Sequence, residues 1–151
     1  MIIRKALLSD VLAIQELVNY YANQDRMLPK SLSVLYENIR DFFVAADDDG
    51  TLLGCAAASV CWDDLAEIKS LAVREDKQKL GIGASLVKTC IEDLNKLGVN
   101  KIISLTYSVE FFKKLGFNII DKKKLPQKIW TECVYCPKFP DCGEEAMMRE
   151  I

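Results

Sequence analysis

The chain has 151 residues, half of them hydrophobic, and its 20 basic and 22 acidic side chains give a net charge of −2 at pH 7. This length predicts a single domain, residues 1–151, that is large enough to bury a core without disulfides or a structural metal. The balanced charge argues against a general nucleic-acid or anionic-membrane binder.

Two absences narrow the function further. No apolar run approaches the ~18 residues of a membrane span, and no charged-then-apolar leader opens the sequence, so we predict a cytoplasmic location. The chain has no histidine, which excludes Ser-His-Asp and Cys-His catalysis and histidine-ligated metals. Proton transfer must therefore use carboxylates, hydroxyls, lysine, thiols or water.

The first third of the chain predicts two helices among short strands. Ile2 and Ile3 indicate a strand, and Ser9-Asp10 caps a helix. One face of this helix is apolar, with Val11, Ile14, Leu17, Val18 and Tyr21. After Pro29, Ser31 caps a second helix that runs to about residue 41.

The middle of the chain predicts three antiparallel strands and a long helix. The strands are residues 42–46, 52–62 and 66–73, and the first two flank a turn at 47–50. Alternation in the third strand places Glu67, Lys69, Leu71 and Val73 on one face. The helix begins after Gly81 and ends at Gly98, with a buried stripe of Leu86, Val87, Cys90, Ile91 and Leu94.

The remaining residues predict short elements. We expect a strand at 101–106, a helix at 109–115 stopped by Gly116, a strand at 117–120, a solvated loop at 122–124 and a last strand at 128–135. A tail rich in cysteine and proline follows, at about residues 133–151.

The stretch from Val73 to Leu86 leads from an apolar strand through a charged loop to two glycines at a helix start. Such a loop directs backbone N–H groups and the positive end of the helix dipole at one point, which favours a phosphate or pyrophosphate. A Walker A loop needs Gly-Lys-Ser/Thr, but Ala84-Ser85 follows Gly83, and a Rossmann fingerprint needs a third glycine where Leu86 stands. A plain strand-to-helix turn is the alternative.

The remaining pattern, Gln78-x-x-Gly81-x-Gly83, resembles the Q/R-x-x-G-x-G/A motif with which GCN5-related N-acetyltransferases hold the pyrophosphate of acetyl-CoA. Phe111-Phe-Lys-Lys-Leu-Gly-Phe117 resembles the F-Y-x-x-x-G-F segment that closes many acetyltransferase sites. Other segments resemble the N-acetylglutamate synthase group: Glu67-Ile-Lys-Ser-Leu-Ala-Val73, Phe42-Phe-Val, Gly54-Cys-Ala-Ala and Lys124-Leu-Pro-Gln-Lys-Ile-Trp130. The resemblance covers nearly the whole chain, but only the transferase half of the two-domain synthases. The chain therefore resembles the short, stand-alone form of these enzymes.

The resemblance implies a mixed α+β fold with a central, mostly antiparallel sheet of about seven strands and helices on both faces. It implies acetyl-CoA as co-substrate and direct transfer in a ternary complex to the α-amine of an amino acid, glutamate or an analogue such as glutamine, with a place in arginine biosynthesis. Two alternatives stay open: another acceptor (a polyamine, an antibiotic or a protein N-terminus), or a CoA-binding sensor without turnover. A homodimer is one alternative for the oligomeric state.

The resemblance also assigns residues to acetyl-CoA. They are the strand residues Leu71, Ala72 and Val73, the loop residues Gln78, Lys79, Leu80, Gly81, Ile82, Gly83 and Ala84, and Phe112 in the closing segment. Lys77 and Lys79 add charge to the loop or are ordinary surface residues.

Amine acetylation needs a base, because an α-amine is mostly protonated at pH 7. Glu67 lies in an apolar strand at the position that the resemblance assigns to the base; the alternative is an ion pair with Lys69. The thiolate is protonated in many relatives by a tyrosine where this chain has Phe112. Thr106, Ser108 and Tyr107 are the nearby hydroxyls that can substitute, as can water.

A dicarboxylic acceptor needs cations. The synthase group has an arginine before a serine where this chain has Lys30-Ser31, and Arg4, Lys69 and Lys128 are further candidates. The alternative for each of these side chains is an ordinary charged residue on the surface.

Six cysteines divide into two groups. Cys55, Cys61 and Cys90 fall in apolar patterns and are predicted core residues. The tail has Cys133-x-x-Cys136-x5-Cys142, a spacing seen in metal knuckles, but three thiols without a histidine do not complete a zinc site. We therefore predict no metal and expect a reduced thiol cluster, with a structural zinc site and a redox pair as the alternatives.

Overall fold

A seven-stranded sheet with helices packed on both faces forms the body of the protein in the computed structural model, which describes residues 1–125 and 144–151. The strands are β1 (Ile2–Lys5), β2 (Phe42–Ala46), β3 (Leu52–Trp62), β4 (Leu65–Val73), β5 (Lys101–Thr106), β6 (Asn118–Ile120) and β7 (Glu145–Glu150). The helices are α1 (Val11–Ala22), α2 (Leu32–Glu37), α3 (Ile82–Lys96) and α4 (Val109–Lys114). Short 3-10 turns lie at Leu8–Asp10, Ile39–Asp41, Glu75–Lys77 and Lys122–Lys124.

The strand order is β1-β2-β3-β4-β5-β7-β6. Every neighbouring pair is antiparallel except β4 and β5, which are parallel. The predicted mixed, mostly antiparallel sheet is therefore confirmed. Among the described residues, no helix combines the length and the apolar character that a membrane crossing requires.

The structure has a strand at residues 145–150 that the sequence did not predict. Residues 145–150 were assigned to the tail, but they form β7 and insert between β5 and β6. The apolar run of Ala146, Met147 and Met148 is short and follows a segment rich in cysteine and proline, so the local pattern does not indicate a strand. The strand predicted at 128–135 and the three tail cysteines lie outside the described residues.

Two hydrophobic cores cover the two faces of the sheet. On one face lies the predicted stripe of α1, which is buried in full, together with Leu35 of α2. On the other lies the predicted stripe of α3, extended by Ile82 and joined by Phe112 of α4. The 3.6-residue periodicity thus predicted the buried face of both long helices correctly.

The three cysteines of the described residues differ in burial. Cys55 and Cys90 are fully buried, as predicted, and burial raises the pKa of both thiols to about 12. At neutral pH they stay protonated and are poor nucleophiles. Cys61 was predicted to lie in the core but is only partly buried; it lies near the end of β3 and packs against a small cluster of Leu65, Ile103, Leu125 and Ala146.

The start of α1 differs from the predicted cap. Residues Leu8–Asp10 form a 3-10 turn, and the Asp10 side chain makes no capping hydrogen bond to α1. Its carboxylate instead accepts hydrogen bonds from both terminal nitrogens of Arg4 (2.8 and 3.1 Å) and from the Leu7 amide (2.7 Å). Asp10 therefore fastens the beginning of α1 to β1. Ser31, by contrast, caps α2 as predicted, by accepting from the Val34 amide.

This ion pair predicts a pH-dependent contribution to stability. The hydrogen bond from Arg4 is the main reason that the pKa of Asp10 lies below its ordinary 3.8. Because the folded pKa is the lower one, the contribution is complete above pH 3.8 and disappears as pH falls through the folded pKa. Asp10→Asn should lower the free energy of unfolding at pH 7 by about 1–2 kcal/mol.

Urea unfolding at a series of pH values measures this effect. The difference between variant and wild type should narrow as pH falls below 3.8. Asp63→Asn, an exposed aspartate, is the matched control and should change stability little at any pH. Equal losses in the two variants would contradict the assignment.

Candidate active site

The parallel strands β4 and β5 separate almost as soon as they meet. They pair at only two positions, Ala66 with Ile102 and Glu67 with Ile103, while β5 pairs with β7 along six. Just beyond the fork, the Ser104 hydroxyl donates to the Ile68 carbonyl at 3.1 Å. A cavity of about 1080 Å³ lies where the carboxyl ends of the two strands diverge. Within the described residues no strand covers this edge of β4 beyond the fork, so those of its backbone groups that no side chain contacts are open to an extended ligand.

A β-bulge changes which residues of β4 share a face. Cys55 pairs with Ala72 and Ala57 with Lys69, so β4 carries one residue more than β3 in this interval. The extra residue is accommodated at Ser70, whose φ of 55° is left-handed.

The prediction that four alternating residues share one face is therefore wrong. Glu67 and Lys69 face the α1 side, as do their β3 neighbours, whereas Leu71 and Val73 pack against the core on the α3 side. The bulge thus places the charged half of β4 and the apolar half on opposite faces while both line the cavity.

The glycine loop forms the wall of the cavity at the amino end of α3. Gly81 precedes the helix with a φ of +81°, which disfavours any residue with a Cβ, although a Cβ there would meet nothing within 4 Å. The lining residues of this wall are Val73, Lys77, Gln78, Lys79, Gly81, Ile82, Gly83 and Ala84. Leu80, which was also assigned to acetyl-CoA, is 68% exposed and does not line the cavity, because the left-handed turns on either side of it direct it to the surface.

The side chain of Gln78 is held by two partners. Its amide nitrogen donates to the Tyr21 hydroxyl (2.7 Å) and to the Val73 carbonyl (3.2 Å). The Tyr21 hydroxyl donates to the same carbonyl. Burial raises the pKa of Tyr21 above its ordinary value, so the hydroxyl keeps its proton near neutral pH. The helical pattern predicts Tyr21 only as a core residue. Its hydroxyl, the single polar group in an otherwise apolar helix stripe, is the feature that could have indicated a role in the site.

The residues proposed for proton transfer meet in the cavity. Glu67 lies at the fork of β4 and β5, and Thr106, Tyr107 and Ser108 lie at the end of β5, all lining the cavity. The Thr106 hydroxyl accepts a hydrogen bond from the Ser108 amide at 2.8 Å, which leaves its own proton to donate.

The position of the tyrosine found in many relatives is apolar here. Phe112 is 3% exposed, and its ring packs edge-to-face against Phe117 with centroids 5.1 Å apart. The ring also reaches the cavity wall. Any proton for a leaving thiolate must therefore come from another group.

Two of the four cations predicted to bind substrate line the cavity, one does not, and one lies outside the described residues. Lys30 and Lys69 line the cavity, and Lys30 is positioned by a hydrogen bond from its amide to the Asn19 side chain (3.1 Å). Arg4 does not line the cavity, since its guanidinium is bound by Asp10. Lys128 lies outside the described residues.

Arg26 is a lining cation that the sequence analysis missed. Its guanidinium lies 4.8 Å from the centroid of the Tyr21 ring. No motif includes Arg26; only its place in the loop between α1 and α2, shortly before Lys30, could have drawn attention to it.

The cleft between two parallel strands, the glycine turn before α3 and the strand order together define a class of protein. Residues 9–117, well over half of the chain, match the sequence model of the acetyltransferase (GNAT) family. The chain belongs to this family.

Within the family, the chain is similar to amino-acid acetyltransferases. An uncharacterised N-acetyltransferase of Chlorobaculum tepidum is 42% identical over 149 residues, which are 99% of this chain and 96% of the relative. The amino-acid acetyltransferase of Mycobacterium tuberculosis is 35% identical over 133 residues, 87% of this chain and 76% of the relative.

Solved structures agree with these sequence relatives. A Mycobacterium tuberculosis protein, Rv2747, in complex with CoA and NLQ, superposes with a TM-score of 0.86 at 31% identity, covering 100% of this chain and 99% of that one. The N-acetylglutamate synthase of Neisseria gonorrhoeae, complexed with coenzyme A and N-acetyl-glutamate, superposes with a TM-score of 0.88 at 26% identity. That alignment covers 99% of this chain and 34% of the synthase chain.

The predicted family and co-substrate are thereby confirmed: the protein is a GNAT acetyltransferase and acetyl-CoA is its acetyl donor. The residues present fit this donor. The uncovered edge of β4 suits the amides of a pantetheine arm, and the N–H groups before the 15-residue helix α3 suit a pyrophosphate.

The left-handed glycine provides a test of the loop. Gly81→Ala should destabilise the fold by about 1–2 kcal/mol, because alanine disfavours the left-handed conformation. It should also weaken acetyl-CoA binding about tenfold, since relief of that strain moves the N–H groups. Calorimetric titration with acetyl-CoA and thermal unfolding measure the two effects.

Gly50 offers a matched control. It has a φ of +83°, a Cβ there would also meet nothing within 4 Å, and it lies in the turn between β2 and β3. Gly50→Ala should lose similar stability and keep its affinity for acetyl-CoA. If both variants lost affinity equally, the loop would have no special part in binding.

Proposed function

We propose that the protein transfers the acetyl group of acetyl-CoA directly to the α-amine of an amino acid, glutamate or a close analogue such as glutamine. The observation that carries this proposal is one continuous cavity. It joins the glycine loop, the Glu67 carboxylate at the strand fork and the cations Lys30 and Lys69. The names of the sequence relatives and the ligands of the gonococcal synthase support the same acceptor class.

Glu67 is the proposed base. An α-ammonium group bound at the fork loses its proton to the carboxylate, directly or through water, and the nitrogen lone pair becomes available. The nitrogen attacks the thioester carbonyl, a C–N bond forms, and the C–S bond breaks. A backbone N–H of Leu71, Ala72 or Val73 stabilises the oxyanion that develops in between. The thiolate leaves with a proton from Thr106, Ser108 or water.

The donor is held by strand and loop. We assign the pantetheine arm to the edge of β4 at residues 71–73, and the pyrophosphate to the N–H groups of Gln78, Lys79, Gly81, Ile82, Gly83 and Ala84. Phe112 closes this part of the cavity from α4. The exposed side chain of Leu80 takes no part in this site.

Lys30 and Lys69 are the proposed counter-charges of the acceptor's carboxylates. Lysine binds a carboxylate as a point charge, whereas arginine forms two parallel hydrogen bonds. Arg26, in the same loop as Lys30, can supply such a fork. A dicarboxylic acceptor and a monocarboxylic one therefore differ in how many of these cations they occupy.

A CoA-binding sensor without turnover is the second candidate, and Phe112 is the observation that favours it, because many relatives carry a tyrosine acid there. The cytoplasmic location, the place in arginine biosynthesis, the single-domain organisation and the homodimer stay predictions.

The base assignment predicts a pH-dependent loss of turnover. Glu67→Gln keeps the shape of the side chain but cannot accept a proton, so kcat near pH 7 should fall roughly 100-fold. The loss should shrink at alkaline pH, where the amine deprotonates unaided, and the Kd for acetyl-CoA should stay nearly unchanged. Glu92→Gln, on the exposed side of α3, is the control and should keep wild-type rates. A wild-type rate in Glu67→Gln would remove this residue from the role.

An acceptor panel separates the candidate functions. Detection of free CoA thiol with amino acids, polyamines and peptides should give the highest kcat/KM with glutamate or glutamine. Turnover with polyamines or peptides alone would show another acceptor class. Binding of acetyl-CoA without thiol release from any amine would show a sensor.

The acceptor cations predict a selective change in KM. Lys30→Met should raise the KM for the amino acid about tenfold, because a carboxylate loses its counter-charge. The KM for acetyl-CoA should change little. Lys96→Met, at the exposed end of α3, is the matched control. Equal KM values for the acceptor in the two variants would exclude Lys30 from binding.

A further inference from the structure

Tyr21 places a buried hydroxyl where the packing of the helix does not require one. Its neighbours in the stripe of α1 are aliphatic, and its residue is 4% exposed. A buried hydroxyl must find a partner, and a phenylalanine would fill the same space without that requirement. The partners of this hydroxyl are the Val73 carbonyl, 52 residues away in sequence, and the amide of Gln78.

Those two partners are the ends of the segment that leads from β4 into the glycine loop. Val73 is the last residue of β4, and Gln78 follows the 3-10 turn Glu75–Lys77. The Val73 carbonyl accepts from both the Tyr21 hydroxyl and the Gln78 side chain. These contacts join the two ends of the segment to each other and to α1.

The loop beyond Gln78 needs such an anchor. Lys79 has a φ of 67° and Gly81 a φ of 81°, so two of the next three residues are left-handed. A lysine in this conformation is unfavourable on its own and persists only when its surroundings hold it. The contacts of the Tyr21 hydroxyl lie immediately before these residues and limit the backbone conformations of the loop.

Tyr21 itself lines the cavity, and it also contacts Arg26, another lining residue. Its carbonyl accepts from the Arg26 amide at 3.1 Å, and its ring lies beneath the Arg26 guanidinium. Replacement of the hydroxyl alone leaves the ring, the carbonyl and both of these contacts in place.

We propose that Tyr21 is a positioning residue for acetyl-CoA: its hydroxyl holds Val73 and Gln78 so that the N–H groups of residues 78–84 are pre-arranged for the pyrophosphate. Without it the ligand must order the loop as it binds, which lowers affinity without changing the chemistry at the fork. The inference rests on the use of acetyl-CoA and does not depend on which amine is acetylated.

Tyr21→Phe tests this directly. The Kd for acetyl-CoA, measured by calorimetric titration without any acceptor, should rise about tenfold. The KM for acetyl-CoA should rise likewise, while kcat at saturating acetyl-CoA stays within about twofold of wild type. Tyr20→Phe is the matched control, since Tyr20 is the adjacent residue, is 45% exposed and does not line the cavity.

A double-mutant cycle tests whether Tyr21 affects acetyl-CoA binding through its hydrogen bond with Gln78. Gln78 is exposed, so Gln78→Ala should fold normally and should raise the Kd by a similar factor. The double variant with Tyr21→Phe should lose little more than either single variant, because both changes break one network. If Tyr21→Phe folds poorly, the Kd of the Gln78→Ala variant still tests whether these hydrogen bonds contribute to acetyl-CoA binding.

An unchanged Kd in Tyr21→Phe, or fully additive effects in the cycle, would overturn the inference. A wild-type protein that binds acetyl-CoA but acetylates no amine would contradict the proposed function alone, because the Kd comparison needs no acceptor.

Discussion

The separation of β4 from β5 after two paired positions is the constraint on which the site depends. A continuous parallel pair would satisfy the backbone of β4 and leave no edge for a ligand. β5 pairs along its whole length with β7, which lies on its other edge. The cleft of the candidate site opens where β4 and β5 diverge, and β7 does not line it.

The bulge at Ser70 adds a second constraint on the same strand. One extra residue turns Glu67 and Lys69 toward α1 and Leu71 and Val73 toward α3. A charged wall for a protonated amine and an apolar wall beside the donor thus arise within seven residues of one strand. The reaction that we propose needs both, because the amine must lose a proton near a carboxylate while the thioester is kept from water.

Local patterns predicted the elements that are decided locally. The stripes of α1 and α3 and the bounds of β2, β3 and β5 agree with the structure, because burial on one face imposes a period that any window of the sequence displays. The glycine loop was equally visible, since the turn before α3 is set by Gly81 itself. The sequence did not predict β7, the bulge in β4 or the ion pair of Arg4 with Asp10. Each of these depends on a partner segment that a local sequence pattern does not include.

The sequence by itself determined the family, the helix faces and the glycine loop to which we assign the pyrophosphate, because these depend on residue types and spacings within single segments of the chain. Only the tertiary structure decided which charged groups share a cavity. It brought Lys30 of the loop between α1 and α2 and Lys69 of β4 to one cavity and left Arg4 outside it. It also joined Tyr21 to Gln78 across 57 residues. Such contacts follow from how two helices and a forked sheet pack together, and side-chain identity alone does not specify that packing.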